Sequence, residues 1–402
     1  MPSIPGPATE GSKTWSPEHL FDTANSNSVS ETWQKIHTHL NANEFRAAIT
    51  TAFELAPGDN FTYHASASVN LAQVEAAVHA GRANGLHAWY VQPKQQEGEE
   101  EEPLESIPGF PSLRITGYPP ANDIQAYISM FDPTKSAANG LKSLSANAKK
   151  GSLRASIAEY LLSRRYLDPS ITVPKVKASS SSQKPSGAAG GGSHQNPALD
   201  FWAYSCLALE YAGPNATTAL VKASHHMLPV YMHHFGCVVP SYEALQIISK
   251  LAAGRGGGVL DMGSGNGYWT FLLRRLGVVN AVVAVDSGQS RWRTTWISDT
   301  VVTDGVQYLR KRSGCPDAVL LLVYPIVGGE FTRKVLEAYT GDVIVVAGTQ
   351  NGNGYTGFKD MMIDEYMNKE KPGWEKVASV PLPSFAGKDD ALFAFRKKED
   401  GG

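Results

Sequence analysis

The chain has 402 residues, with 36 Lys and Arg against 38 Asp and Glu, and 42% of it is hydrophobic. That length can hold two domains with a sizeable core, and a formal net charge of −2 gives no bulk field to draw nucleic acid or an anionic membrane. The three cysteines, Cys206, Cys237 and Cys315, show no C-x-x-C spacing, so free thiols in a reducing compartment, cytosolic or nucleocytoplasmic, are expected.

Residues 1–18 are poor in apolar side chains and are expected to be disordered, with no apolar core of a secretion signal. From Ser30 the spacing turns helical, with Trp33, Ile36 and Leu40 on one face. Further helices are expected over Phe45–Leu55, Leu71–Leu86, Ala121–Phe131 and Leu153–Tyr166, with a short strand over His87–Val91. The acidic run from Glu97 to Glu102 reads as a solvated loop rather than a docking tail. Together these make 19–174 an α-rich accessory region. Residues 175–198, with Ser179 to Ser182 and Gly187 to Gly192, cannot bury enough apolar area to offset ordering entropy and read as a flexible linker.

The second half, 199–402, opens with helices expected over Leu199–Tyr211, Ala216–Met227 and Tyr242–Leu251. Next comes the apolar run Val259-Leu260, then Asp261-Met262, then Gly263-Ser264-Gly265-Asn266-Gly267, then a helical pattern through Trp269, Phe271, Leu272 and Leu273. A strand that stops at a glycine turn and opens into a helix offers outward N–H groups and close backbone approach to a ligand. A dinucleotide fingerprint needs G-x-G-x-x-G, and Tyr268 stands where its third glycine belongs. Downstream, strand-like runs at Ala281–Val285, Val301–Val302, Ala318–Val323 and Val343–Val346 alternate with helix-like runs at Phe331–Tyr339 and Phe358–Met367. Alternation of this kind predicts a parallel sheet covered on both faces. Trp374–Val380 and Ala391–Arg396 are separated by a loop too short for a crossover, so the last strand should run antiparallel.

The glycine spacing, with Asp261 two residues ahead of it, resembles the first motif of class I S-adenosylmethionine-dependent methyltransferases. The segments Phe235 to Leu245, Leu322 to Pro325, Gly348 to Gly357 and Pro383 to Asp389 further resemble a fungal set of predicted methyltransferases, with more distant bacterial counterparts, whose acceptors are unassigned. The resemblance spans roughly 220–398 and implies an α/β fold: a class I methyltransferase (Rossmann-like) sheet with an antiparallel last strand, preceded by the α-rich N-terminal region. It implies S-adenosylmethionine as cofactor, with Gly263, Ser264, Gly265, Asn266 and Gly267 along the methionyl moiety and Asp261 near its ammonium. Asp286 closes the second strand near the offset of roughly 20 residues at which such sheets place an acid for ribose hydroxyls. Asp304 closes the third, where the family carries a polar partner for the adenine amino group. Taken singly, either aspartate could be a turn or cap residue.

The fourth strand ends in Tyr324-Pro325-Ile326, not the Asn/Asp-Pro-Pro-Tyr/Phe signature of amino-group methylation on adenine or glutamine, which disfavours those acceptors. Tyr324, the Gln350–Tyr355 loop and the Ser384–Asp390 loop are expected beyond the carboxyl ends of the strands, where ligands bind in such sheets. Tyr324 is the preferred orienter or hydrogen-bond acceptor on that side, against a packed aromatic. His225, His226, His233 and His234 cluster just upstream. They read as helix-face and capping residues rather than metal ligands, with His234 kept as a second catalytic candidate facing the acceptor. The expected function is methyl transfer to a small-molecule or protein acceptor, without membrane or nucleic-acid partners. A catalytically inactive methyltransferase-like scaffold is the alternative, and a nicotinamide oxidoreductase is a weaker third.

Overall fold

The computed structural model describes residues 9–10, 31–42, 44–52, 91–93, 113–115, 121–132, 135–173, 196–208, 228–275, 277, 281–288, 294–325, 330–350, 358, 361–385 and 388–398. The expected helix over 71–86, the acidic run, residues 351–357 and nearly all of the Ser/Gly segment lie outside them. In the first half the elements are β1 (Thr9–Glu10), α1 (Glu31–Asn41), α2 (Phe45–Ala52), β2 (Val91–Pro93) and β3 (Leu113–Ile115). They continue with α3 (Ala121–Ser129), α4 (Ala137–Ala146), α5 (Leu153–Arg164) and β4 (Tyr166–Leu167). The helix α4 was not expected from periodicity; Ser136 starts it, its hydroxyl accepting from Asn139 N. Thr9–Glu10 fall inside the stretch expected to be disordered, yet they pair in parallel with Thr294–Thr295.

The second half runs α6 (Pro197–Ala208), α7 (Leu228–Phe235), α8 (Tyr242–Ala252), β5 (Val259–Met262), α9 (Tyr268–Arg275), β6 (Val282–Asp286), β7 (Thr294–Thr295) and β8 (Val301–Val302). It ends with α10 (Gly305–Arg310), β9 (Val319–Val323), α11 (Phe331–Ala338), β10 (Val343–Thr349), α12 (Ile363–Glu370), β11 (Trp374–Pro381) and β12 (Asp390–Lys397). Eight strands form one sheet in the order β4-β11-β12-β10-β9-β5-β6-β8. Strands β10, β9, β5, β6 and β8 are mutually parallel, whereas β12 is antiparallel to both β10 and β11. This is the class I methyltransferase sheet with its reversed last strand.

Side chains of the central strands alternate between two cores. Val259, Val319, Leu321, Val343 and Val345 face one side with Tyr242, Leu245, Tyr268 and Trp202. Leu260, Met262, Leu320, Leu322, Ile344 and Val346 face the other with Leu309, Val335 and Tyr366. A strand covered on both faces has no place for polar alternation, which is why β9 and the body of β10 read as continuous apolar runs. At the β8 edge Val302 is 71% exposed, and at the β4 edge Tyr166 is 43% exposed.

Residues 121–173 pack onto the sheet. Leu144, Ile157 and Leu161 share one continuous core with the sheet, and β4 extends the sheet by pairing antiparallel with β11. The helix expected over 153–166 therefore stops at Arg164, and the largely buried Arg165 forms a bidentate pair with Glu243 at 2.5 and 2.9 Å. Of the expected linker over 175–198, Pro197 and Ala198 belong to α6, and 175–195 lie outside the described residues.

Candidate functional site

The chain runs out along β6 and β8 on one side of β5, then returns to place β9 on the other. Strand order reverses between β5 and β9, and in open α/β sheets ligands bind at that point, beyond the carboxyl ends. The glycine loop leaves β5 there. Gly263, Gly265 and Gly267 have φ of 78°, 57° and 80°, a region that side chains disfavour. At Gly267 a Cβ would lie 2.4 Å from Ile297 Cγ1. The N–H groups of Gly263 and Ser264 both bond Val285 O, at 2.7 and 3.1 Å, which locks the turn onto β6.

Asp261 is wholly buried. Its Oδ2 accepts from Thr270 Oγ1 at 2.7 Å, whereas Oδ1 has no protein partner, and neither does the buried Ser264 Oγ. Burial is the main cause that pushes the Asp261 carboxyl up to about 7, and the charge of Asp286 adds to it. Asp286 receives two backbone donors, Gly265 N on Oδ2 at 3.0 Å and Gly288 N on Oδ1 at 2.7 Å. An ionised carboxylate has about four acceptor sites, so these bonds orient it without exhausting it. Asp304 caps α10, its Oδ1 accepting from Gln307 N at 2.9 Å.

Two expectations for this corner change in character. The side chain of Asn266 is engaged with the protein: Nδ2 donates to His234 O at 2.9 Å and Oδ1 accepts from Tyr268 N at 3.2 Å, which ties the loop to α7 and caps α9. The His234 ring is fully buried, edge-on to Phe235 at 4.7 Å and to Trp296 at 5.4 Å. Its carbonyl holds the loop through Asn266 Nδ2 and also receives Trp296 Nε1 at 2.8 Å. The side chains of His225, His226 and His233 lie outside the described residues, among which no cluster of three metal-ligating side chains occurs. Sequence reasoning missed Phe331: its ring lies 3.8 Å from the Cβ position of Gly263 and 3.5 Å from that of Gly305. It thus stands between the turn after β5 and the turn after β8, and nothing in its own sequence context marks it.

The other corner lies at β9, β10 and β12. Tyr324 follows β9 with φ 50°, a conformation that costs a non-glycine residue of order 1–3 kcal/mol and persists only where its surroundings fix it. Its N–H donates to Ala347 O at 2.7 Å. The ammonium of Lys388, itself 5% exposed, lies 4.9 Å from the centre of the Tyr324 ring. Lys388 Nζ also donates to Cys237 O at 2.5 Å and pairs with Asp390 Oδ2 at 3.0 Å. Burial raises the Asp390 carboxyl and Lys388 opposes that rise. The adjacent Asp389 accepts from Tyr160 Oη at 2.5 Å and from Gln350 Nε2 at 3.1 Å. Burial, then the charge of Asp390, pushes it up to about 7 against those bonds. Ser384 completes the corner, receiving Asp390 N on Oγ at 2.8 Å and donating its own N–H to Tyr127 Oη at 3.2 Å. Of the expected acceptor-side loop, Gln350 is described and buried, while 351–355 lie outside the described residues.

No family model and no curated protein matches the chain. Among solved structures it is similar to a Pyrococcus horikoshii protein assigned as an RNA methyltransferase, with 13% identity over 41% of this chain and 88% of that one, at a TM-score of 0.26. It is also similar to the methyltransferase domain of a bacterial CtHen1, with 12% identity over 38% and 95% and a TM-score of 0.27. The SAH-bound form of CalO1, a methyltransferase in calicheamicin biosynthesis, shows 13% identity over 69% and 94% with a TM-score of 0.27. At these scores the likenesses add nothing to what the strand order shows, and no sequence comparison supports the fungal and bacterial set. Among the described residues no helix is long and apolar enough to cross a membrane.

Proposed function

We propose that the chain is a methyltransferase that takes S-adenosylmethionine as donor and delivers the methyl group to a small-molecule or protein acceptor. One observation supports this most. At the strand-order reversal, a turn of three positive-φ glycines sits beside two buried oxygens, Asp261 Oδ1 and Ser264 Oγ, that no protein group satisfies. A buried polar atom left unpaired costs about 1–3 kcal/mol, and a ligand with a cationic ammonium and polar backbone offers the missing partner. In this reading Asp261 faces the donor's ammonium, Asp286 its ribose hydroxyls and Asp304 its adenine amino group, while the missing glycine side chains leave room for the backbone to touch it.

The donor supplies a methyl group already activated on a sulfonium. The protein's share is therefore to orient, exclude water and receive a proton where the acceptor must lose one, and orientation alone can be worth about 7–11 kcal/mol. Tyr324, held in a strained conformation at the end of β9, is the residue we place on the acceptor side as orienter or hydrogen-bond acceptor. The test is to titrate the protein with S-adenosylmethionine and, separately, with a nicotinamide dinucleotide, then to incubate it with methyl-labelled donor and a fungal extract. Donor binding with label transfer is expected. Donor binding with no label transferred in any extract leaves a methyltransferase-like scaffold, and binding of the nicotinamide alone returns the oxidoreductase.

A further inference from the structure

We infer that Lys388 is a positioning residue: fixed between the Cys237 carbonyl and the Asp390 carboxylate, its ammonium holds the phenol ring of Tyr324 at the face where the acceptor enters. The word acceptor rests on the methyltransferase reading above; the positioning does not. Lys388 is buried together with Asp390, at 5% and 1% side-chain exposure. A buried ion pair is a poor way to gain stability, since apolar side chains of similar volume often do as well or better, so its presence asks for another role. The geometry supplies one. An ammonium has three donors in a compact head. One meets Cys237 O at 2.5 Å and another meets Asp390 Oδ2 at 3.0 Å, and the head lies 4.9 Å from the ring centre of Tyr324. The backbone of Tyr324 is pinned by Ala347 O, but a φ of 50° does not by itself fix where the ring goes. The ring packs against the core, and the attraction of a cation for an aromatic face adds to that hold.

The same lysine joins the two corners of the crevice. It bonds the carbonyl of Cys237, three residues after His234, whose own carbonyl receives Asn266 Nδ2 of the glycine loop at 2.9 Å.

Removing Lys388 alone strands a buried carboxylate, so the test pairs Lys388→Met with Asp390→Asn and compares it with Lys388→Arg. Each protein is made with 3-fluorotyrosine, and Tyr324→Phe identifies the signal of Tyr324 among the 16 tyrosines. The Tyr324 fluorine signal is expected to move in the Met/Asn protein and to return toward its original position with Arg, which keeps a cation over the ring. In parallel, label transfer should fall by about 10²-fold in the Met/Asn protein, the scale of a small misplacement near reacting atoms, with donor affinity unchanged. A fluorine signal that stays in place overturns the proposal, and so does a displaced signal with undiminished transfer. Wild-type protein that binds donor and transfers nothing removes the methyltransferase reading instead, and the fluorine signal then decides the positioning by itself.

Discussion

At β5 and β6 the crevice is shaped by backbone: positive-φ glycines, N–H groups bonded to Val285 O, and one carboxylate held by Gly265 N and Gly288 N. At β9, β10 and β12 it is shaped by side chains that converge from far apart in the chain. Tyr160 reaches Asp389 across 229 positions, and the Tyr127 hydroxyl receives Ser384 N across 257. The first corner is local and tolerates little substitution at its glycines. The second is a buried polar network in which each member depends on its partners, so removing one should hurt more than removing two.

The largest expected effect tests that dependence. Lys388→Met alone should lower unfolding free energy by about 3–5 kcal/mol, because it leaves Asp390 buried without its cation, and adding Asp390→Asn should recover most of the loss. Denaturant titration of the single and double variants measures both. Equal losses in the two would mean that the network is not coupled.

A smaller loss is expected at the backbone-built corner. Gly267→Ala should lower stability by about 2–4 kcal/mol, combining a left-handed backbone with a clash against Ile297. Gly254→Ala is the control, since Gly254 has φ 78° but nothing within 4 Å of its Cβ position. If the two substitutions cost the same, the contact with Ile297 contributes nothing.

Third, Asp286→Ala should weaken S-adenosylmethionine binding by about 1.5–3 kcal/mol, the range for hydrogen bonds to a charged group. Calorimetry on the folded variant reads this directly, and unaltered affinity would remove Asp286 from the donor site.

The smallest effect is a slope. Asp389 is faced by Tyr160, Gln350, Asp390 and Arg164, and burial lifts it from an ordinary 3.8 to about 7. A carboxyl raised in the folded state favours the protonated protein, so its contribution is fully present below the unfolded value and is lost as pH rises to about 7. Asp389→Asn should therefore lose less stability than wild type between pH 5 and 8, by about 1 kcal/mol or more. Parallel pH curves for the two proteins would show that the carboxyl titrates normally.

The contrast between the corners also explains what could be read from the chain. Glycines on alternate positions after an apolar run have few conformational uses, so the turn after β5, the flanking strands and the reversed β12 were all legible from spacing. Asp304 was legible as a position, and its cap on α10 was one of the two roles weighed. The packing of His234 against Phe235 and Trp296 is a tertiary fact that a pair of adjacent histidines does not show. Lys388, Asp389 and Asp390 lay inside a segment expected near the crevice, yet nothing local marks a lysine as buried. Its partners, Cys237 and Tyr324, are 151 and 64 positions away, and only the folded sheet brings them together.

The two residues of β4 have a consequence for how portable the C-terminal half is. Tyr166 and Leu167 cover the outer side of β11 at Ser379 and Ala378, and Asp168 N adds a bond to Val377 O at 2.8 Å. A cassette cut at residue 197 and moved into another protein would carry the glycine loop and the core on one face of the sheet, but it would lose Ile157 and Leu161 from the other core and leave β11 as a bare flank. Strand flanks of that kind recruit copies of themselves. The short upstream strand therefore works as a guard rail for the outer side of β11.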